Sequence, residues 1–268
     1  MQKTDKKKQE QSFLDHLEVL RWHLIRSFIA ILLFTVIAFL FPEILFDKII
    51  FAAKDSSFAT YRFFCWMSET LNFGQALCIN EMPFELMNIN MSGQFSTHII
   101  SSVIAGFIIS FPYIFWEMWC FVKPALHSNE KRYSKGVVFY TSLLFTIGVL
   151  FGYYAVAPLS IQFLGNYQVS PEVVNQINLN SYISTVTTVC LANGVVFLLP
   201  VLIYFLSKLG FITPDFLRRY RRHAIVMLMI MAAIITPPDI MSLILVTFPL
   251  MLLYEVSIKV STKFQDEE

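Results

Sequence analysis

The side chains able to do chemistry are few, and they stand at the margins of long uncharged stretches. Asp15 and Glu18 come just before the first such stretch, and Glu130 sits beside Lys131 and Arg132. Carboxylates in basic surroundings suit recognition of a cationic ligand through charge-assisted hydrogen bonds. The competing reading of Glu130 is a solvated ion pair with its basic neighbours, and such pairs are common and weak. Catalysis would need paired acids, a histidine cluster, or a nucleophile beside a base. No such constellation is visible, so the chain reads as a non-enzyme without a cofactor. His16, His23 and His223 lack metal-ligand spacing, no two of the four cysteines are spaced as zinc ligands, and no metal is expected.

The elements that must position these residues are apolar helices. Of 268 residues, 56% are hydrophobic and 15% charged, and the mean hydropathy is +0.60. Soluble domains carry about a quarter charged residues, so this is the layout of a polytopic membrane protein. A hydrocarbon core ~30 Å thick needs roughly 20 residues of helix. Residues 22–41, 97–121, 136–158 and 182–207 meet that need, with Arg26, His98 and Glu117 near span ends. A last apolar region is broken by Thr236-Pro237-Pro238-Asp239 into 223–236 and 240–256. Two adjacent prolines remove two backbone donors and end a helix. A helix of about 14 residues reaches only ~21 Å, so helices five and six are expected to be short. The expected fold is all-α: a cytoplasmic tail 1–21, a six-helix domain 22–258 with an external loop 42–95, and a tail 259–268. Pro112, Pro200 and the short last pair are expected to bend it into a concave bundle.

Seventeen of the twenty Lys and Arg residues fall on one side of this arrangement, with Lys48, Lys54 and Arg62 on the other. The positive-inside bias places both termini in the cytoplasm. The N-terminal lysines precede no short apolar core with a cleavage site, so they read as a retained tail. Arg218, Arg219, Arg221 and Arg222 read as a topology anchor against lipid phosphate. No nucleic-acid partner is expected, because no cytoplasmic domain is present to bind one.

The loops offer less. Cys65 and Cys78 share the long external loop, which faces an oxidising compartment. A disulfide between them and two free thiols in an apolar cap are both open readings. Cys120 and Cys190 read as reduced residues, the latter in a helix core. Residues 69–95 are expected to hold a short amphipathic helix on the outer surface. The second external loop, 160–180, is expected to pack in an external cap.

Four blocks resemble one family. Ser12-Phe-Leu-Asp-His-Leu-Glu-Val-Leu-Arg21 is similar to a His-Leu-x-Glu-Leu-Arg motif at the start of helix one. Phe111-Pro112 through Phe121-Val-Lys-Pro124-Ala-Leu126 resembles the end of helix two with its Phe-x-x-Pro exit. Glu130-Lys131-Arg132 looks like the first cytoplasmic loop, and Thr236-Pro237-Pro238-Asp239 like the turn between helices five and six. In order, across nearly the whole chain, they resemble TatC, the signal-peptide-binding subunit of the twin-arginine translocase.

The resemblance implies a receptor for twin-arginine signal peptides of folded precursors. It implies single-span partners of the TatA and TatB type, a homo-oligomeric receptor complex, and transport driven by the proton-motive force. A peptide with two guanidinium groups calls for carboxylates. The implied contacts are Glu18 and Glu130, with Asp15 in reserve and Arg21 orienting the acids. Phe121 and Pro124 would set the exit of helix two. Asp239 would shape the last hairpin, with the capping of helix six as its plainer reading. Three positions depart from the pattern: Val19 where the motif has Glu, and Leu198 and Leu243 where polar residues are usual. Glu18 cannot simply replace the missing acid, because one residue turns a helix by about 100°. The alternative function is a small multi-pass secondary transporter. Transporters usually carry broken helices and polar groups at mid-membrane, in related halves; here two spans lack charge and no repeat is visible.

Overall fold

The computed structural model describes residues 2–55, 57–70, 84–123, 134–170, 172, 175–208, 210–237 and 239–265. Side chains 2–15, 134–135, 241 and 263–265 lie outside the described set. Among the described residues ten α-helices follow in order: α1 Gln2–Leu40, α2 Ala59–Thr70, α3 Gly93–Val122, α4 Ser134–Phe151, α5 Ala157–Asn166, α6 Leu179–Val196, α7 Leu199–Lys208, α8 Pro214–Arg219, α9 Arg221–Ile235 and α10 Ile240–Gln265. Two short strands, β1 Glu85–Met87 and β2 Gln176–Asn178, pair in parallel.

Local chemistry sets the breaks. α1 contains neither glycine nor proline over 39 residues, and it stops one residue before the Phe41-Pro42 step, where the residue ahead of proline is pushed out of the helical region. The expected end of the third span at Pro158 gives way to a longer one. A π-helical stretch, Gly152–Val156, joins α4 to α5, and Pro158 sits in the first turn of α5. The helical path runs on through it, and the apolar run extends to Asn166. Pro200 acts differently. α6 ends at Val196, Phe197 and Leu198 form a turn, and α7 restarts at Leu199 with Pro200 buried in its first turn.

Among the described residues, five helical stretches are long and apolar enough to cross a membrane: 16–40, 93–122, 136–166, 179–208 and 242–262. The first begins earlier than the expected boundary. α9 is short, as expected: 15 residues reach about 22 Å. α10 corrects the expectation of a short sixth helix, running 26 residues to Gln265. No glycine or proline lies in 250–265 to stop it.

The chain divides into two compact units: residues 1–40 with 102–143, and residues 41–101 with 144–268. In the second, an apolar core joins Val189 and Val196 of α6, Ile203 of α7, Leu228 and Ala232 of α9, and Val246 and Leu250 of α10. Leu243, at a position where polar residues are usual in the resembled pattern, packs against this core. Small residues bring helices into contact. A Cβ at Gly148 would meet the Asn193 carbonyl at 2.6 Å, and one at Gly152 the Cys190 Cα at 2.9 Å. Such small-xxx-small stripes let backbones approach where lipid gives no hydrophobic drive to association.

Segments between the spans of this unit also pack against one another. A helix not foreseen lies at Ala59–Thr70, while residues 71–83, most of the stretch expected to hold an amphipathic helix, lie outside the described residues. The strand pairing was not foreseen, since three-residue strands carry almost no periodic signal. The Tyr61 hydroxyl lies 3.0 Å from the carbonyl oxygens of both Ala53 and Pro158, and its burial pushes the phenol pKa up. Cys65 is disulfide-bonded, whereas Cys120 and Cys190 are free. Cys78, its partner in one of the two open readings, lies outside the described residues.

Candidate functional site

The candidate site is the paired end of α1 and α3 within the first unit. The two helices run antiparallel. His16 packs against Phe121 in a tilted arrangement, ring centroids 4.5 Å apart, His23 pairs with Glu117, and further along a Cβ on Gly106 would come within 2.6 Å of the Thr35 backbone nitrogen. The face of α1 turned inward bears His23, Ser27, Ala30 and Phe34, spaced at three and four residues as one side of a helix demands.

Glu117 is the centre of this end, and it is 1% exposed. A carboxylate taken out of water is tolerated only if its oxygens are satisfied. Tyr113, one turn back on α3, donates its hydroxyl to Oε1 at 2.7 Å. His23 Nδ1 faces Oε2, and Arg26 Nη2 lies 3.2 Å from the same ring nitrogen. Arg26 Nη2 lies 3.6 Å from the same oxygen, while Arg26 Nε donates to the Trp22 carbonyl at 3.3 Å. His23 also meets Phe121 edge-on, with centroids 6.3 Å apart. So Phe121 lies against two imidazoles of α1, one of them held by Glu117.

The sequence-expected residues fall unevenly. Glu18 and Arg21 lie on α1, both exposed, as is Val19. Asp15 belongs to α1, but its side chain is outside the described set. Phe121 is half-buried near the end of α3, and Pro112 lies exposed inside that helix. Glu130 and Pro124 lie outside the described residues. The structure brings together Phe121 with His16, His23 and Glu117, a set the sequence did not pair. Its signal was present: Arg26 and Glu117 are charges inside otherwise apolar spans, and such residues face protein and take partners.

The second unit holds a different buried acid. Asp239, 5% exposed, follows the double proline. Its Oδ1 accepts from the Ser242 amide at 2.5 Å, so it caps α10. Its Oδ2 accepts from the Ser160 hydroxyl at 3.3 Å, and Ser160 also lies 2.9 Å from Ser242 Oγ. Near the far end of α10, Arg221 pairs with Glu255, and the Tyr254 hydroxyl donates to the Leu217 carbonyl at 2.9 Å. Among the described residues no group of His, Cys, Asp and Glu could hold a metal ion.

Residues 15–249 match the family model for Sec-independent protein translocase protein (TatC). The TatC of Blattabacterium sp. subsp. Periplaneta americana is 40% identical over 255 residues, covering 95% of this chain and 96% of that protein. That of Desulforapulum autotrophicum is 33% identical, covering 94% and 85%. Among solved structures, one described as the twin-arginine translocase receptor TatC in DDM superposes with a TM-score of 0.70 at 33% identity, covering 92% of this chain and 99% of that one. A second TatC crystal structure gives 0.67 at 33% identity, with 92% and 98% covered. With its five long apolar helices, its motifs in family order and this likeness along nearly its whole length, the chain belongs to the TatC family and is a multi-pass membrane component of the Sec-independent, twin-arginine protein translocase.

Proposed function

We propose that the chain is the receptor subunit that binds twin-arginine signal peptides of folded precursors at the cytoplasmic face of a bacterial inner membrane. It hands them to export driven by the proton-motive force, together with single-span TatA- and TatB-type subunits and further copies of itself. The reading is carried by the likeness over 92% of the chain to a structure described as the translocase receptor. The charge distribution supports the orientation, with seventeen of twenty basic residues on the side of both termini. The paired end of α1 and α3 then faces the cytoplasm. There Glu18 is exposed and free to meet a guanidinium fork, and Glu130 follows α3 in the chain. Arg21 orients the acids, with Asp15 available beside them. Phe121, Pro124 and Pro112 shape the exit of α3, Pro200 and Asp239 shape the helices on which partners would dock, and Cys65 with Cys78 would close the external loop.

The test is crosslinking of a photoreactive twin-arginine signal peptide to the protein in membranes, with a Lys-Lys peptide as control. Arg-Arg-dependent crosslinking is expected, lost in Glu130→Ala and reduced in Glu18→Ala or Asp15→Ala. No dependence on the arginine pair, in an inserted and stable protein, would overturn the reading.

A further inference from the structure

Glu117 has no part in the reading above, yet it is the most deeply buried charge at that end of the molecule. A buried ion pair is weak evidence for stability, because a well-packed apolar replacement is often as stable. Its position invites a different explanation. The end of α1 and α3 must receive a ligand with two permanent positive charges. Among the described side chains there, Arg21, Arg26 and Lys123 are cations, Glu18 and Glu117 are acids, and His16 and His23 are imidazoles. Arg26 keeps 48% of its side chain exposed, so an uncompensated charge on it would reach into the approach of the ligand.

We infer that Glu117 is a specificity-determining positioning residue, whose buried carboxylate neutralises Arg26 and fixes His23 against Phe121 so that the surface accepts an arginine pair. Three observations carry this. Oε2 of Glu117 faces both His23 and Arg26, which lie one turn apart on the neighbouring helix. Oε1 is held by Tyr113 at 2.7 Å, which leaves the carboxylate little freedom to turn away. His23 in turn meets Phe121 edge-on, and His16 packs tilted against the same ring. Glu117 does not touch the peptide; it acts through the charge of Arg26 and the placement of His23. The inference rests on the proposed recognition of twin-arginine peptides.

The experiment is equilibrium binding of a fluorescent Arg-Arg signal peptide to the full-length protein in lipid nanodiscs, at low and high salt, with a Lys-Lys peptide alongside. If the unaltered protein shows no Arg-Arg preference, the receptor reading fails, whatever the variants do. If it does, E117Q is expected to bind the Arg-Arg peptide about tenfold more weakly, with the loss shrinking as salt screens the exposed charge. The double variant R26Q/E117Q is expected to return to within about twofold of the unaltered affinity, because the offending charge has gone. R26Q alone, at an exposed site that leaves the fold intact, is expected to bind at least as tightly as the unaltered protein. Unchanged binding by E117Q, a double variant no better than E117Q, or weakened binding by R26Q would each overturn the inference. The last two would make Glu117 a purely structural residue.

Discussion

Glu117 and Asp239 are both carboxylates taken out of water, and they are satisfied in opposite ways. Glu117 meets a histidine and an arginine of a neighbouring helix, with a phenol from its own. Among the described residues Asp239 meets no cation: its partners are the Ser242 backbone amide and the Ser160 hydroxyl. The difference follows from where each stands on its helix. Asp239 lies at a helix N-terminus, where free amides and the dipole already favour a negative charge. Glu117 lies five residues before the end of α3, where backbone carbonyls point onward and the dipole disfavours it. A charge there needs a counter-charge, and α1 supplies it. One acid is therefore a matter of local chain chemistry, and the other is a contract between helices.

The sharpest way to break this contrast is Glu117→Ala. It strands Arg26 and His23, and breaking a buried pair by removing one partner costs about 3–5 kcal/mol, to be read from unfolding in mixed micelles. A Glu117→Gln variant that keeps most of the stability lost in Glu117→Ala would show that shape, rather than charge, is what α1 requires. Next comes Asp239→Ala, where a lost cap costs about 1–2 kcal/mol. Asp239→Asn keeps an acceptor for the Ser242 amide and should recover most of it; no recovery would mean that the charge itself matters there too. Ser160→Ala removes one neutral hydrogen bond and should cost about 1 kcal/mol in the same measurement. Smallest is Arg26→Gln, within about 1 kcal/mol, because half of that side chain is in solvent and its pairing is screened. A larger loss would move Arg26 from the electrostatic account to the structural one.

How much of this was legible beforehand varies by residue. The double proline announced the break between α9 and α10, because a missing donor acts at its own position. The capping by Asp239 was equally local. Pro158 misled, since the helical path continues through it from the π-helical stretch into α5. The external strands were illegible: β1 and β2 are three residues each, and their pairing joins segments about ninety positions apart. Of the candidate-site residues, Glu18 and Phe121 were found through motifs, and Glu117 was seen only as a charge near a span end.

By itself, then, the sequence determined the class of molecule, the number and order of its apolar segments, their punctuation and their charge asymmetry. Each of these depends on composition or on neighbours within a few residues. Tertiary structure alone decided that His23 and Arg26 meet Glu117, that Gly106 seats against Thr35, and that Asn193 and Cys190 lie under Gly148 and Gly152. Those pairings depend on helix register. A helix offers every position around its axis to a partner every few residues, and only close packing of one helix on another selects which of them touch.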